Sequence, residues 1–171
     1  KKGERIAICA KNTARMAVSF LSVNTYETVV VPILSDFTPD SVNHLVDHSE
    51  SVILFTDNDI WAKLDISKMP LLRAVVSVND FTLLYAAEES ISKAFASVPE
   101  LFSAKYPMGF TGENVNYNTE NWDELDIINY TSGTTSAPKG VMLTYKAISA
   151  TIDYGQRHIP SSDQYTMVSM L

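Results

Sequence analysis

Four apolar runs without polar alternation constrain this chain more than any other feature. They are Arg5 to Ala10, Thr28 to Leu34, Ser51 to Phe55 and Leu72 to Val78. A strand that is apolar at nearly every position has to be covered on both faces. The segments between the runs carry helical spacing, and strands alternating with helices imply a parallel sheet. The predicted fold class is therefore α/β, a largely parallel sheet flanked by helices. Asn12 is placed to cap a helix from Thr13 to about Asn24. Ala14, Ala17, Val18 and Leu21 form its predicted inward face, and Met16, Phe20 and Val23 widen it. Thr38 and Pro39 start a second helix, with Val42, Leu45 and Val46 as its buried stripe. Asp57 or Asn58 opens a short helix carrying Trp61 and Leu64. Asp80 is read as the cap of a helix from Phe81 to about Ser97, with Leu84, Ile91, Ala94, Phe95 and Val98 inward. Pro99 starts a short turn. Tyr106 to Trp122 reads as a long surface connection. Thr144 caps a helix from Tyr145 to about His158, with Ile148 and Ile152 inward. A loop then leads to a final apolar strand, Tyr165 to Leu171.

One segment carries chemistry. Tyr130-Thr131-Ser132-Gly133-Thr134-Thr135-Ser136-Ala137-Pro138-Lys139-Gly140 places five Ser/Thr hydroxyls, two glycines and one lysine within eleven residues. Its left flank (Leu125, Ile127, Ile128) and its right flank (Val141, Met142, Leu143) are both strand-like. Glycines let a backbone approach a ligand closely, hydroxyls donate to phosphate oxygens, and Lys139 adds positive charge. The Walker pattern fails, because its second glycine would fall at Pro138 and the order here is Lys139-Gly140. The dinucleotide pattern fails as well, since Gly133 and Gly140 have no partners at its spacings. A Ser/Thr-rich hairpin loop without function is the bland alternative.

The ordered string from Thr131 to Gly140 resembles the phosphate-loop signature of the adenylate-forming superfamily, with Ser136 where glycine is most usual. Val141-Met142-Leu143-Thr144 continues the likeness, but Tyr145-Lys146-Ala147 replaces the usual His-Arg-Asn. Further matches lie upstream: Arg5 to Cys9 followed by Asn12, Val29-Val30-Val31-Pro32-Ile33, and Phe37-Thr38-Pro39 with Leu45 and Ser49. Together they resemble the front part of the large N-terminal domain of an acyl-CoA synthetase, with bacterial long-chain fatty-acid–CoA ligases as the most similar subgroup. Residues 1–171 are then a partial N-terminal AMP-binding domain, with the phosphate loop at 130–140. Lys1 in place of methionine and an apolar strand at the end fit a piece cut at both ends.

The resemblance implies a two-step reaction. A carboxylate attacks the α-phosphate of Mg-ATP, and coenzyme A then displaces AMP from the acyl-adenylate. The implied cofactors are ATP, Mg2+ and coenzyme A, and the implied partners are small molecules (a fatty acid, ATP and coenzyme A). The implied cofactor-binding residues are Thr131, Ser132, Gly133, Thr134, Thr135, Ser136, Lys139 and Gly140, with no catalytic residue and no metal ligand in this stretch. Lys139 either contacts phosphate or bonds the carbonyls of its own hairpin. The family's Tyr-Gly-x-Thr-Glu segment, its ribose-binding aspartate, its hinge and its C-terminal lysine domain do not occur here. The chain alone is therefore expected to be inactive. Two other readings stay open: an amino-acid adenylation domain of a peptide synthetase, and a non-catalytic binding module.

The balance of charge limits the partners. A net charge of −7 argues against a general nucleic-acid binder, whose phosphate contacts need a basic face. No apolar run approaches the ~18 residues of a membrane span. The expected setting is the cytoplasm, with a peripheral membrane position open to the parent protein. Cys9, the single cysteine, sits in an apolar run and reads as a small buried residue rather than a nucleophile. His44 and His48 stand one helical turn apart but lack a third ligand, so they read as a solvated helix edge. Asp57-Asn58-Asp59 lacks the glycine and distal glutamate of a calcium loop. His158 is expected near the negative end of its helix, and Glu88-Glu89 on a solvated face.

Overall fold

The computed structural model describes residues 1–114, 122–131 and 138–159. In chain order its elements are β1 (Arg5–Cys9), α1 (Ala14–Thr25), β2 (Val29–Ile33), α2 (Pro39–His48), β3 (Ile53–Thr56), α3 (Asn58–Trp61), β4 (Ala74–Ser77), β5 (Leu83–Ala86), α4 (Glu89–Ala96), α5 (Val98–Lys105), β6 (Leu125–Thr131), β7 (Lys139–Thr144) and α6 (Tyr145–His158). One seven-stranded sheet runs β5-β4-β3-β1-β2-β6-β7. The pairs among β4, β3, β1, β2 and β6 are parallel, and β5 and β7 close the two edges antiparallel. The predicted α/β class holds, and β1 to β4 fall on the four apolar runs.

Successive side chains of these strands enter opposite layers. Ala7, Cys9, Val29, Val31, Ile33, Ile128 and Tyr130 point to the side covered by α2, where they meet Val42, Leu45 and Val46. Ile6, Ile8, Val30 and Ile127 point to the other side, against Val23, Met16 and Phe20 of α1 and Ile148 of α6. Both caps named by Thr and Pro chemistry form. Thr38 Oγ1 accepts from the Ser41 amide at 3.3 Å, with Pro39 in the first turn, and Thr144 Oγ1 accepts from the Ala147 amide at 3.3 Å.

Five expectations are corrected. The cap of α1 is Thr13, not Asn12: its hydroxyl accepts from the Met16 amide at 3.2 Å. The inward stripe of α1 is Met16, Ser19, Phe20 and Val23, at i, i+3, i+4 and i+7, while Ala14, Ala17, Val18 and Leu21 face outward. Both faces of this helix are apolar, so composition alone did not choose between them. The third correction is Phe81 to Ser97. Asp80 caps no helix there. Its carboxylate accepts from the Thr82 amide at 3.0 Å and the Thr82 hydroxyl at 2.7 Å, and Phe81 turns through φ 59°. That turn folds Leu83–Ala86 back on β4 as β5, and the helix begins only at Glu89. Pro99 lies in the first turn of the helix α5 rather than in a short turn. The fifth, after Pro99, is Ile152, which is exposed on α6 while Ile148 packs inward.

The surface connection is described over 106–114 and at Trp122, and is exposed there except at the half-buried Tyr106, with a short turn at Gly112–Asn114. The expected final strand, Tyr165 to Leu171, lies outside the described residues.

Candidate functional site

Parallel strands carry their carboxyl ends to one edge of a sheet, and ligands of open α/β sheets bind at that edge. Here β6 runs parallel to β2, with Val30 opposite Ile127. The end of β6 at Thr131 therefore opens on the same edge as the turns that leave β1 for α1 and β2 for α2. Antiparallel β7 returns from that edge, with Tyr130 opposite Gly140 and Thr131 opposite Lys139. The predicted hairpin is formed, and its last registered pair is Thr131–Lys139.

Thr131 and Lys139 are both exposed at the mouth of this hairpin. A hydroxyl and an ammonium side by side suit an anion, and they are the described donors of the candidate site. Ser132, Gly133, Thr134, Thr135 and Ser136 lie outside the described residues. Gly140 is half-buried for a steric reason. A Cβ there would stand 3.0 Å from Cγ2 of Ile128 and 3.3 Å from Cε1 of Tyr130. The absence of a side chain at 140 lets the Tyr130 ring lie across β7.

Tyr130 is itself anchored. It is 9% exposed, and its hydroxyl lies 2.7 Å from Nδ1 of His48, the last residue of α2. The rings meet edge to face, with centroids 5.8 Å apart. Burial pushes the Tyr130 hydroxyl above its ordinary pKa, with the charge of Arg5 and a hydrogen bond to the Ser49 side chain acting the other way. His44 and His48 are both exposed, as a solvated helix edge requires, and His48 bonds Tyr130 in addition. The His44 and His48 rings are 5.8 Å apart, and among the described residues no cluster of three or more His, Cys, Asp or Glu side chains offers a metal site. The described donors suit phosphate oxygens better than a cation.

At the other end of β6, Asp126 is buried and accepts a hydrogen bond from the Asn24 amide of α1. The Tyr145 hydroxyl donates to the Asn24 carbonyl at 3.2 Å, which ties α6 to the same point. Burial raises the Asp126 carboxyl to about 6. Neither polar tie leaves a periodic signal along the chain, because both join residues far apart in it.

The remaining candidates have structural settings. Cys9 is fully buried, and burial pushes its thiol up to about 12, so it is inert as a nucleophile. Asp57 accepts from the Lys11 amide at 2.8 Å and from the Asn79 side-chain amide at 3.0 Å, joining the ends of β1, β3 and β4. Asp59 pairs with Lys11 at 2.9 Å. His158 closes α6, bonded to the Tyr154 carbonyl at 2.9 Å and stacked on its ring. Glu88 and Glu89 are exposed at the start of α4. No helix among the described residues is long and apolar enough to cross a membrane.

Fold and hairpin together define a mixed α/β domain with Thr131 and Lys139 at its carboxyl edge. The model of the family described as AMP-binding enzyme matches residues 1–171, and the chain belongs to that family. Long-chain-fatty-acid–CoA ligase 1 of Cavia porcellus is 26% identical over 149 residues, covering 84% of this chain and 21% of its own length. A linear gramicidin synthase component of Brevibacillus parabrevis is 25% identical over 148 residues, covering 86% of this chain and 2% of its own length. The crystal structure of a long-chain-fatty-acid–CoA ligase from Archaeoglobus fulgidus matches with a TM-score of 0.64 at 19% identity, over 91% of this chain and 27% of that one. That likeness shows the fold. The chain spans no more than 27% of the length of any of the three.

Proposed function

We propose that this chain is the phosphate-binding part of an enzyme that activates a carboxylic acid with ATP, forming an acyl-adenylate and then a thioester with coenzyme A. The observation that carries the reading is the Thr131–Lys139 hairpin mouth at the carboxyl edge of the sheet, within a chain of the AMP-binding family. Thr131, Ser132, Thr134, Thr135 and Ser136 supply hydroxyls to the β- and γ-phosphates, backbone amides around Gly133 stand beside them, and Lys139 supplies charge. Gly140 lets the hairpin close over Tyr130. As the substrate carboxylate attacks the α-phosphate, negative charge grows on the departing pyrophosphate, and donors already aimed at it lower the barrier. Mg2+ travels with the phosphates and adds charge there. The loop holds and steadies; it does not act as nucleophile or base. Coenzyme A enters in the second step, as cosubstrate of the parent enzyme.

A long-chain fatty acid is the proposed substrate, supported by relatives that carry that name at low identity. The match to a gramicidin synthase favours a second reading, amino-acid adenylation. A cytoplasmic setting, where ATP and coenzyme A are available, fits either. The 171-residue chain by itself is expected to show no turnover.

Acid-dependent pyrophosphate release by the full-length protein tests the reading, with fatty acids and amino acids tried in parallel. Lys139→Ala or Thr134→Ala should each lower the rate on the order of 10- to 100-fold, the worth of a hydrogen bond to a charged group. Wild-type rates in both variants would sink the phosphate-loop reading.

A further inference from the structure

The hairpin mouth is only as well placed as the strand that carries it, and β6 joins β2 in parallel with Val30 opposite Ile127. The residue next to the mouth has a second attachment. Tyr130 directly precedes Thr131 and faces Gly140 across the hairpin. Its ring passes over Gly140, where no Cβ blocks it, and its hydroxyl reaches His48 Nδ1 at 2.7 Å. His48 ends α2, and that end is itself pinned. Arg5 of β1 donates to the Ser49 carbonyl at 3.0 Å and pairs with Glu50 at 2.5 Å, and the Ser49 and Ser51 hydroxyls bond each other at 2.7 Å. Tyr130 thus links the hairpin to the end of α2 through a part-buried polar bond, its own ring buried and the His48 ring exposed. The exposed Thr131 and Lys139 side chains sit one position beyond.

We infer that His48 and Tyr130 form a positioning pair that sets the angle at which the phosphate hairpin leaves the sheet, and so the affinity for the β- and γ-phosphates of a nucleotide. Neither residue touches the ligand; His48 acts through Tyr130, and Tyr130 through the Thr131–Lys139 pair. The inference rests on the phosphate-loop reading above. Its distinguishing consequence is selective. A brace for the β- and γ-phosphates matters for a triphosphate and not for a monophosphate. A merely structural contact would weaken both ligands alike or neither.

The test is calorimetric titration of the full-length protein with MgATP and, separately, with AMP. Variants are Tyr130→Phe, which removes only the hydroxyl; His48→Ala; His48→Asn, whose amide stands near the position of Nδ1; and the double variant Tyr130→Phe/His48→Ala. Tyr130→Phe and His48→Ala should each weaken MgATP about three- to tenfold, the worth of one neutral hydrogen bond. AMP affinity should stay within twofold. His48→Asn should restore most of the loss, and the double variant should be no worse than either single one, because both remove the same bond. Unchanged MgATP affinity in both single variants, with Lys139→Ala weakened, overturns the positioning pair and leaves the phosphate loop standing. Equal loss of MgATP and AMP overturns it too. Unchanged MgATP affinity in Lys139→Ala as well would bring down the phosphate-loop reading and the pair together.

Discussion

The half of the sheet built on β1 to β4 and the half built on β6, β7 and α6 are packed to different depths. In the first half, α2 drives Val42, Leu45 and Val46 into a layer shared by strands β1, β2, β3 and β4, and Leu45 is fully buried. In the second, β7 and α6 contribute no fully buried residue, and Met142 of β7 is 70% exposed. The candidate site lies on the thin half. Its hold on the protein comes from a few specific ties: a glycine that makes room, a tyrosine–histidine bond and a buried aspartate. A deep core tolerates little change in volume, whereas a thin hairpin depends on single polar and steric contacts.

That contrast can be broken by measurement. Leu45→Ala should show the largest effect, a loss of about 2–5 kcal/mol in chemical denaturation, because it empties the thick layer. A loss below about 1 kcal/mol would mean that the α2 side is not the main core. Gly140→Ala should cost about 1–3 kcal/mol, since its Cβ would press on Ile128 and Tyr130. A neutral result would show that the ring moves aside freely.

Asp126 gives a dependence on pH. Its folded carboxyl sits at about 6, above the ~3.9 of an unfolded chain, because burial disfavours the charge. Between about pH 4 and 6 the folded form keeps a proton that the unfolded chain has released. Stability contributed here should fall as pH rises through that window, on the order of 2 kcal/mol, and stay level above it. Asp126→Asn should flatten this slope; an identical slope in the variant would refute the assignment. The smallest effect is expected on the outer face of α6. Ile152→Ala, at a position 55% exposed, should change the stability of the 171-residue chain by less than about 0.5 kcal/mol. A larger loss would show that the second half is packed more deeply than its exposure suggests.

Strands β1 to β4 were legible because valine and isoleucine runs buried on both faces leave an unbroken apolar signature. The hairpin was legible because a glycine- and hydroxyl-rich loop lay between two apolar flanks. Strand β5 was not: Leu83 to Ala86 fits a helical stripe as well as a strand, and the deciding element was the side chain of Asp80 folding onto Thr82. The ends of α1 and α2 carried no glycine signal, because Glu27 and Glu50 take the positive-φ positions that glycine usually fills, at 60° and 54°. Within the candidate site, residue types and order were readable from Thr131 to Gly140. The His48–Tyr130 and Asn24–Asp126 bonds were not, since each joins residues 82 or 102 positions apart. Only the path of the chain brings them together.

The pairing of β2 with β6 also has a consequence in time. Val30 and Ile127 are about a hundred positions apart. Closing a loop of that length costs about 4 kcal/mol in chain entropy, before any contact offsets it. Strands β1 to β4 are joined by short crossovers, and β6 with β7 is a local hairpin. Each can form early, on its own. Joining them is the step that must wait, and contacts of such high sequence separation slow folding. The edge at which Thr131 and Lys139 open therefore depends on the strand pairing of greatest sequence separation in the sheet.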